Sequence, residues 1–287
     1  MMARGQRVEI DGSESVPNFH GKELRFQREG GEGLTLEQLV EGSFYGATYL
    51  SEIERGRRRM PPDLARQVDR VLKTDGYFER GCEDVRKARK GGHAEYFADA
   101  AEMERFALTI EDWAPLLVPG LLQTEAYARA IVRAAVPRAS DAYVQRNVTA
   151  RLSRASIFKE EEPPAFWAIL DESLIRRAVL PPEGMAELLE HIARVVRETR
   201  SLLQIVPVTT ALHPFMMGMT RIMTFADAPS VVYTESLHSG QLIDDPRLVR
   251  SYRQSYDLLR ADALPPEASL AMVEEAAEGF RNGTDRG

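Results

Sequence analysis

The chain has 287 residues, 44% of them hydrophobic, with one cysteine and a formal net charge of −7. That length can hold two cores. The lone Cys82 excludes an internal disulfide and any multi-cysteine zinc site, and its thiol reads as buried or as a bystander. No apolar run approaches the roughly 18 residues of a membrane span. A protein in water, with no membrane partner and a cytoplasmic location, is therefore expected.

Residues 1–19 mix Gly, Ser and charge and lack the apolar core of a signal peptide, so they read as a flexible arm. A helix is expected from about Gly21 to Glu29, supplying Leu24 for packing. The stretch from Gly33 to Gly56, GLTLEQLVEGSFYGATYLSEIERG, then places caps, apolar residues and turn residues where two short helices crossing at a tight turn need them. Thr35 and Gln38 have the spacing of a capping box, and Leu36, Leu39 and Val40 recur at i, i+3, i+4. Gly42 and Ser43 break this helix. A second one starts near Gly46, buries Leu50 and Ile53, shows Ala47, Thr48, Tyr49 and Glu52 on its outer face, and stops at Gly56, where a left-handed cap costs little. A further helix opens at Pro61-Pro62 and buries Leu64, Val68, Val71 and Leu72. Residues 20–75 thus form an all-α unit, about 55 residues long.

A Leu-rich helix pair with a glycine between the helices has this spacing even where it binds nothing. The order T-x-x-Q, turn, S-x-I-E-R-G, basic run adds to the spacing, and in that order the stretch resembles the lambda-repressor-like, or XRE-type, helix-turn-helix. Thr35, Glu37, Leu39, Ser51, Ile53, Glu54, Arg55 and Gly56 carry the likeness. The resemblance implies duplex DNA as partner. Where the family usually has Gln, a Ser cap and a long polar side chain, this chain has Leu36, Gly46 and Ala47. The residues expected to meet DNA are Lys22, Arg25, Thr35, Gln38, Thr48, Tyr49, Glu52, Arg55, Arg57 and Arg58. Of these, Thr48, Tyr49 and Glu52 form the face left for bases, and the Lys and Arg residues suit phosphate. A solvated loop is the alternative for the Arg run.

From His20 to Asp75 ten Lys and Arg meet ten Asp and Glu, a balance of zero. After Gly92, 20 basic residues face 28 acidic ones, a balance of −8, so that part is not expected to lie along DNA. Residues 76–92 are charged and glycine-dotted and read as a linker in which a helix runs into a hinge.

A second domain, 93–281, is expected to be α+β with one small sheet. Helices are expected over about Ala94 to Glu104, Thr124 to Val136, Ser140 to Lys159, Pro182 to Thr199, Pro246 to Ala263 and Pro266 to Phe280. Strands are expected at Phe166 to Leu170, Leu203 to Val208, Ile222 to Phe225 and Val231 to Thr234, with Ala226 to Ser230 as a hairpin link. The whole fold is then mainly α with a smaller α+β part.

The pieces WAPLLVPGLLQTEAYARAIV (Trp113 to Val132), AILDESLIRR (Ala168 to Arg177), LLQIVPV (Leu202 to Val208) and VVYTESL followed by the run Asp244, Asp245, Pro246 look like the C-terminal domain of actinobacterial helix-turn-helix regulators. These are the WhiJ-like, or Scr-type toxin-antitoxin-like, proteins. The resemblance implies a DNA-binding regulator paired with a small acidic partner protein encoded nearby, and a homodimer on a two-part site is expected. In the Val118 to Tyr127 segment, Pro119-Gly120 sets a turn and Thr124 caps the next helix. The competing reading is a partner or ligand groove lined by Trp113, Leu121, Gln123 and Tyr127. Asp171 and Glu172, near Arg176 and Arg177, read as a strand-end ion cluster rather than an acid/base pair. HPFMMGM, His213 to Met219, is an apolar loop suited to core filling or to adaptable binding.

No G-x-S-x-G, P-loop, H-E-x-x-H or dinucleotide glycine motif is present, and the five histidines lack ligand spacing. No catalytic residues, metal or cofactor are expected. A transcriptional regulator is the first expectation; an antitoxin-like interaction protein with weak autoregulatory DNA binding is the second; an enzyme of unknown type is the third.

Overall fold

The structure, a computed structural model, describes residues 16–31, 33–58, 60–88, 100–101, 103–199, 201–236 and 239–283. The chain divides into two compact units: Met1–Met103 with Phe225–Pro229, and Glu104–Thr224 with Ser230–Gly287.

In the first unit, α1 (Val16–Gly30), α2 (Leu36–Val40), α3 (Ala47–Glu54), α4 (Pro62–Leu72) and α5 (Tyr77–Ala88) follow one another through short turns. The capping box at α2 is complete. Gln38 N–H donates to Thr35 Oγ1 at 3.3 Å, and Thr35 N–H donates to Gln38 Oε1 at 2.8 Å. Beyond α3 the chain turns at Gly56 with φ +70°, a conformation that a Cβ would strain. Proline at its start, where no N–H partner is needed, opens α4. The Asp69 carboxylate then receives the Phe78 and Glu79 N–H groups at 2.9 and 2.8 Å, satisfying orphan donors at the head of α5. Leu24, Leu39, Leu50, Ile53, Leu64, Val68 and Phe78 form the core. Each contributes roughly 1.5–3 kcal/mol by leaving water.

The expected arm lies almost wholly outside the described residues, as does most of the expected helix Ala94 to Glu104. Within the expected linker, Tyr77–Ala88 is helical.

The second unit is built on a mixed six-stranded sheet in the order β3-β2-β1-β4-β5-β6. Its strands are β1 (Thr109–Ala114), β2 (Ala165–Asp171), β3 (Leu202–Val206), β4 (Met219–Thr224), β5 (Val231–Ser236) and β6 (Ser239–Ile243). β1, β2 and β3 run parallel, and β4, β5 and β6 add antiparallel to the β1 edge. Four of these strands answer the sequence expectation. β1 was not expected because its sequence, TIEDWA, carries two acids in what becomes a central strand. Both find arginines: Glu111 faces Arg253 at 3.1 Å and Asp112 faces Arg221. β6, a short polar edge strand, gives little apolar signal.

The helices are α6 (Glu125–Ala135), α7 (Asp141–Ser153), the single turn α8 (Ser173–Arg176), α9 (Pro182–Thr199), α10 (Pro246–Asp262) and α11 (Pro266–Asn282). Thr124, Ser140 and Asp245 cap α6, α7 and α10 with their side chains. The expected Ser140 to Lys159 helix changes to a 3-10 helix at Arg154–Lys159. One sheet face packs on α10, where Val249, Tyr256 and Leu259 meet Trp113, Ile169, Ile222 and Val232. Helix α9 buries Met185, Leu188, Leu189 and Ile192, and α6 and α7 join through Ala128, Val132, Val144 and Val148. Among the described residues no helix is long and apolar enough to cross a membrane.

Candidate nucleic-acid interface

The first unit presents part of the expected set to solvent. Lys22, Thr35, Gln38, Thr48, Arg55 and Arg57 are exposed. Thr35 and Gln38 are also engaged with each other in the capping box. Arg57 keeps 61% of its side chain in water while its guanidinium lies 3.6 Å from Glu52.

Tyr49 and Glu52 are corrections. Tyr49 is only 4% exposed and Glu52 only 7%. Tyr49 belongs to the core, with its ring centroid 4.9 Å from that of Tyr45. Glu52 receives Arg55 at 2.8 Å. An eight-residue helix held between neighbours buries more than the narrow stripe that a Leu50–Ile53 spacing marks out.

Arg58 is a correction of the same kind. Its guanidinium lies 4.6 Å from the Tyr49 ring centroid, 5.6 Å from that of Phe225 and 3.5 Å from the Asp227 carboxylate. A stacked, ion-paired guanidinium is a packing element of the unit. Arg25 is half-buried at 3.4 Å from Glu54, which also takes Arg28 through bonds of 2.5 and 2.9 Å. Hydrogen bonding to Glu54 holds the Arg28 guanidinium above its ordinary pKa.

Phe44, which the periodicity did not single out, stands 83% exposed in the turn ahead of α3. The signal available was an aromatic residue inside a polar turn.

In the second unit, Trp113, Leu121, Gln123 and Tyr127, the residues of the competing groove reading, do not line an open groove: all four side chains are buried. Trp113 Nε1–H donates to the Phe215 carbonyl at 3.0 Å, Gln123 Nε2 donates to the Val118 carbonyl at 2.7 Å, and the Val118 N–H donates to Tyr127 Oη at 3.2 Å. The segment is a turn locked by its own side chains, the alternative that Pro119-Gly120 and Thr124 pointed to. At the end of β2, Glu172 pairs with Arg176 at 3.3 Å and accepts the Val208 N–H at 3.0 Å, as an ion cluster would.

A buried charge network joins β1 to β4. Arg221 forks onto Asp112 through two 2.5 Å bonds and also contacts Glu104, which Arg154 grips from the other side, with its Nε–H 2.8 Å from Glu104 Oε2. Burial pushes the Asp112 carboxyl up to about 8, with the Arg154 charge pulling against it. Burial likewise pushes Arg154 and Arg221 down to about 10. Both directions express the cost of holding charge away from water, which the fork geometry offsets. Among the described residues no group of three or more His, Cys, Asp or Glu side chains could hold a metal ion.

An all-helical unit with a boxed, glycine-ended helix pair, and an α+β unit on a mixed sheet, define a two-unit protein of mainly α and α+β class. Residues 97–275 match the family model described as Domain of unknown function (DUF5753), and the chain belongs to that family. No curated protein and no solved structure matches the chain.

Proposed function

We propose that the protein is a DNA-binding transcriptional regulator. In this reading the first unit is an XRE-type helix-turn-helix, and the α+β unit mediates dimerisation and the sensing of a partner or ligand. The observation that carries the reading is the local design of α2 and α3: a complete capping box, a turn, a second helix stopped by a left-handed glycine, and exposed cations on both sides of it. A recognition helix offers its first residues to the major groove while cations beside it take phosphates. Here Thr48 is the base-facing donor and acceptor, and Phe44 supplies an apolar surface suited to a thymine methyl. Lys22, Arg55 and Arg57 are the phosphate contacts. Such a reader discriminates bases with few groups, so most of its affinity is electrostatic. No catalytic role is assigned to either unit.

The test is fluorescence anisotropy of the full chain against its own upstream DNA and a scrambled duplex, each at two salt concentrations. Tight binding to the first duplex only is expected; equal or absent binding rejects the reading.

A second reading, an antitoxin-like protein that captures a small partner, rests on the loop before β4. Val208, Leu212, Met216 and Met217 are exposed there, Met217 to 99%. Exposed apolar side chains of this density mark interaction surfaces, and methionine adapts to varied partners. Co-purification of a small acidic protein that is lost when Met216 and Met217 become Ser would favour it.

A further inference from the structure

The sheet face covered by α10 changes character along its length. Strand pairing sets Trp113, Thr220, Thr234 and Gln241 side by side across β1, β4, β5 and β6. The neighbouring row, Ile222, Val232 and Ile243, is closed core. Beyond Trp113 the first row is polar, and a cavity of about 530 Å³ lies over it. Ser251, Tyr252 and Ser255 of α10 and the loop residue Phe215 line its other side.

Thr220 is 2% exposed, yet its hydroxyl makes no side-chain hydrogen bond among the described residues, and neither do those of Thr234 and Ser255 or the amide of Gln241. Of the four, Thr220 is buried, Thr234 and Ser255 are half-buried and Gln241 is exposed, so together they give the cavity wall donors and acceptors that a ligand can use in place of water. Among the described residues the lining holds one charged side chain, that of Glu235. Strand alternation puts its carboxylate on the opposite face, where it bonds Tyr233, itself paired in register with Arg221. The wall therefore offers hydroxyls, an amide and two aromatic rings, those of Phe215 and Tyr252, with centroids 6.2 Å apart and tilted by 32°. An ion entering it would lose its hydration without a counter-charge. A sugar matches on every count: it is uncharged, it carries hydroxyls along its edges, and its C–H faces are apolar enough to lie on aromatic rings. The volume falls within the range of about 300–1,000 Å³ usual for small-molecule sites.

We infer that the cavity between α10, the β4–β6 strands and the Phe215 loop is a binding site for an uncharged saccharide or glycoside. This goes beyond the proposed regulatory reading, and its test does not depend on DNA.

The experiment is saturation-transfer NMR on the full chain with maltose, cellobiose and methyl β-glucoside, and with glucuronate and glucosamine as charged counterparts. Calorimetry follows for any binder. Transfer to at least one neutral saccharide is expected, with none to the charged pair. Affinity should fall about tenfold in Thr220→Val, which keeps the shape and removes one hydrogen bond, and in Gln241→Leu, which changes an exposed side chain. Melting curves of both variants must match the parent for the comparison to count; if Thr220→Val melts early, Gln241→Leu alone decides. No transfer to any neutral saccharide, equal transfer to the charged ones, or unchanged affinity in a folded variant overturns the assignment.

Discussion

The Gly46 N–H donates to the Asp227 carbonyl at 2.8 Å, and a Cβ added to Gly46 would stand 3.0 Å from the Asp227 Cβ. Both residues belong to the first unit, which includes Phe225–Pro229. Serine, the usual helix cap, does not fit at Gly46 without displacing Asp227. The contact thus gives a steric reason for an uncapped start to α3.

Gly46→Ala should therefore destabilise the protein by about 1 kcal/mol, the typical size of a local packing change. In an Asp227→Gly background most of that loss should vanish, because the opposing Cβ is gone. Urea unfolding of the four proteins in this cycle measures the coupling; an equal loss in both backgrounds would show that Gly46 is needed for another reason.

Arg57 and Arg58 are neighbours in sequence with different surroundings. Arg57→Ala should leave the melting temperature alone and reduce the log-log salt slope of DNA binding by about 0.9, one phosphate contact. Arg58→Ala should lower the melting temperature, because the Tyr49 ring loses its cover and Asp227 its cation. Anisotropy across a salt series together with thermal melts separates the two effects, and an unchanged slope in Arg57→Ala removes it from the interface.

Arg221 bridges two buried acids, Glu104 and Asp112. Arg221→Met should cost about 3–5 kcal/mol, because Asp112 loses its buried fork while Glu104 is left with Arg154 alone. Arg281→Ala breaks an ion pair whose side chains are both about half exposed and should leave the urea midpoint where it was. Similar midpoints for the two variants would contradict the weight given to the buried network.

His20 is partly buried against Gly81, its Nδ1 has no hydrogen-bond partner, and burial lowers its pKa below 6.5. The folded state therefore binds this proton less readily than the unfolded chain. The contribution of His20 is fully present above pH 6.5 and is lost as pH drops through 6.5 toward the lower folded value. His20→Gln should narrow the difference between melts at pH 7.5 and pH 5.5. An unaltered difference would place the acid sensitivity elsewhere.

Most helices could be read from sequence because their signals are local. Thr35 with Gln38, Thr124, Ser140 and the prolines at 62, 182, 246 and 266 mark starts through bonds or dihedrals within one turn. β1 was hidden because Glu111 and Asp112 are tolerated in a central strand only through arginines far along the chain: Arg221 lies 109 residues from Asp112. The exposure of the residues expected to meet DNA was misjudged for several of them. The same Arg-rich stretch holds exposed Arg57 and stacked Arg58, and sequence spacing does not say which neighbour a long side chain will meet.

By itself the sequence determined where most helices begin and that the acidic balance lies after Gly92, because caps, turns and charge counts act over a few residues. Only the tertiary structure decided that Tyr49 is core, that Trp113 packs in the sheet core while Gln123 and Tyr127 bond to the Val118 backbone, and that a polar row crosses the sheet beneath α10. Each of those depends on which distant segment arrives to exclude water. That is a property of the packed chain and not of any local stretch of it.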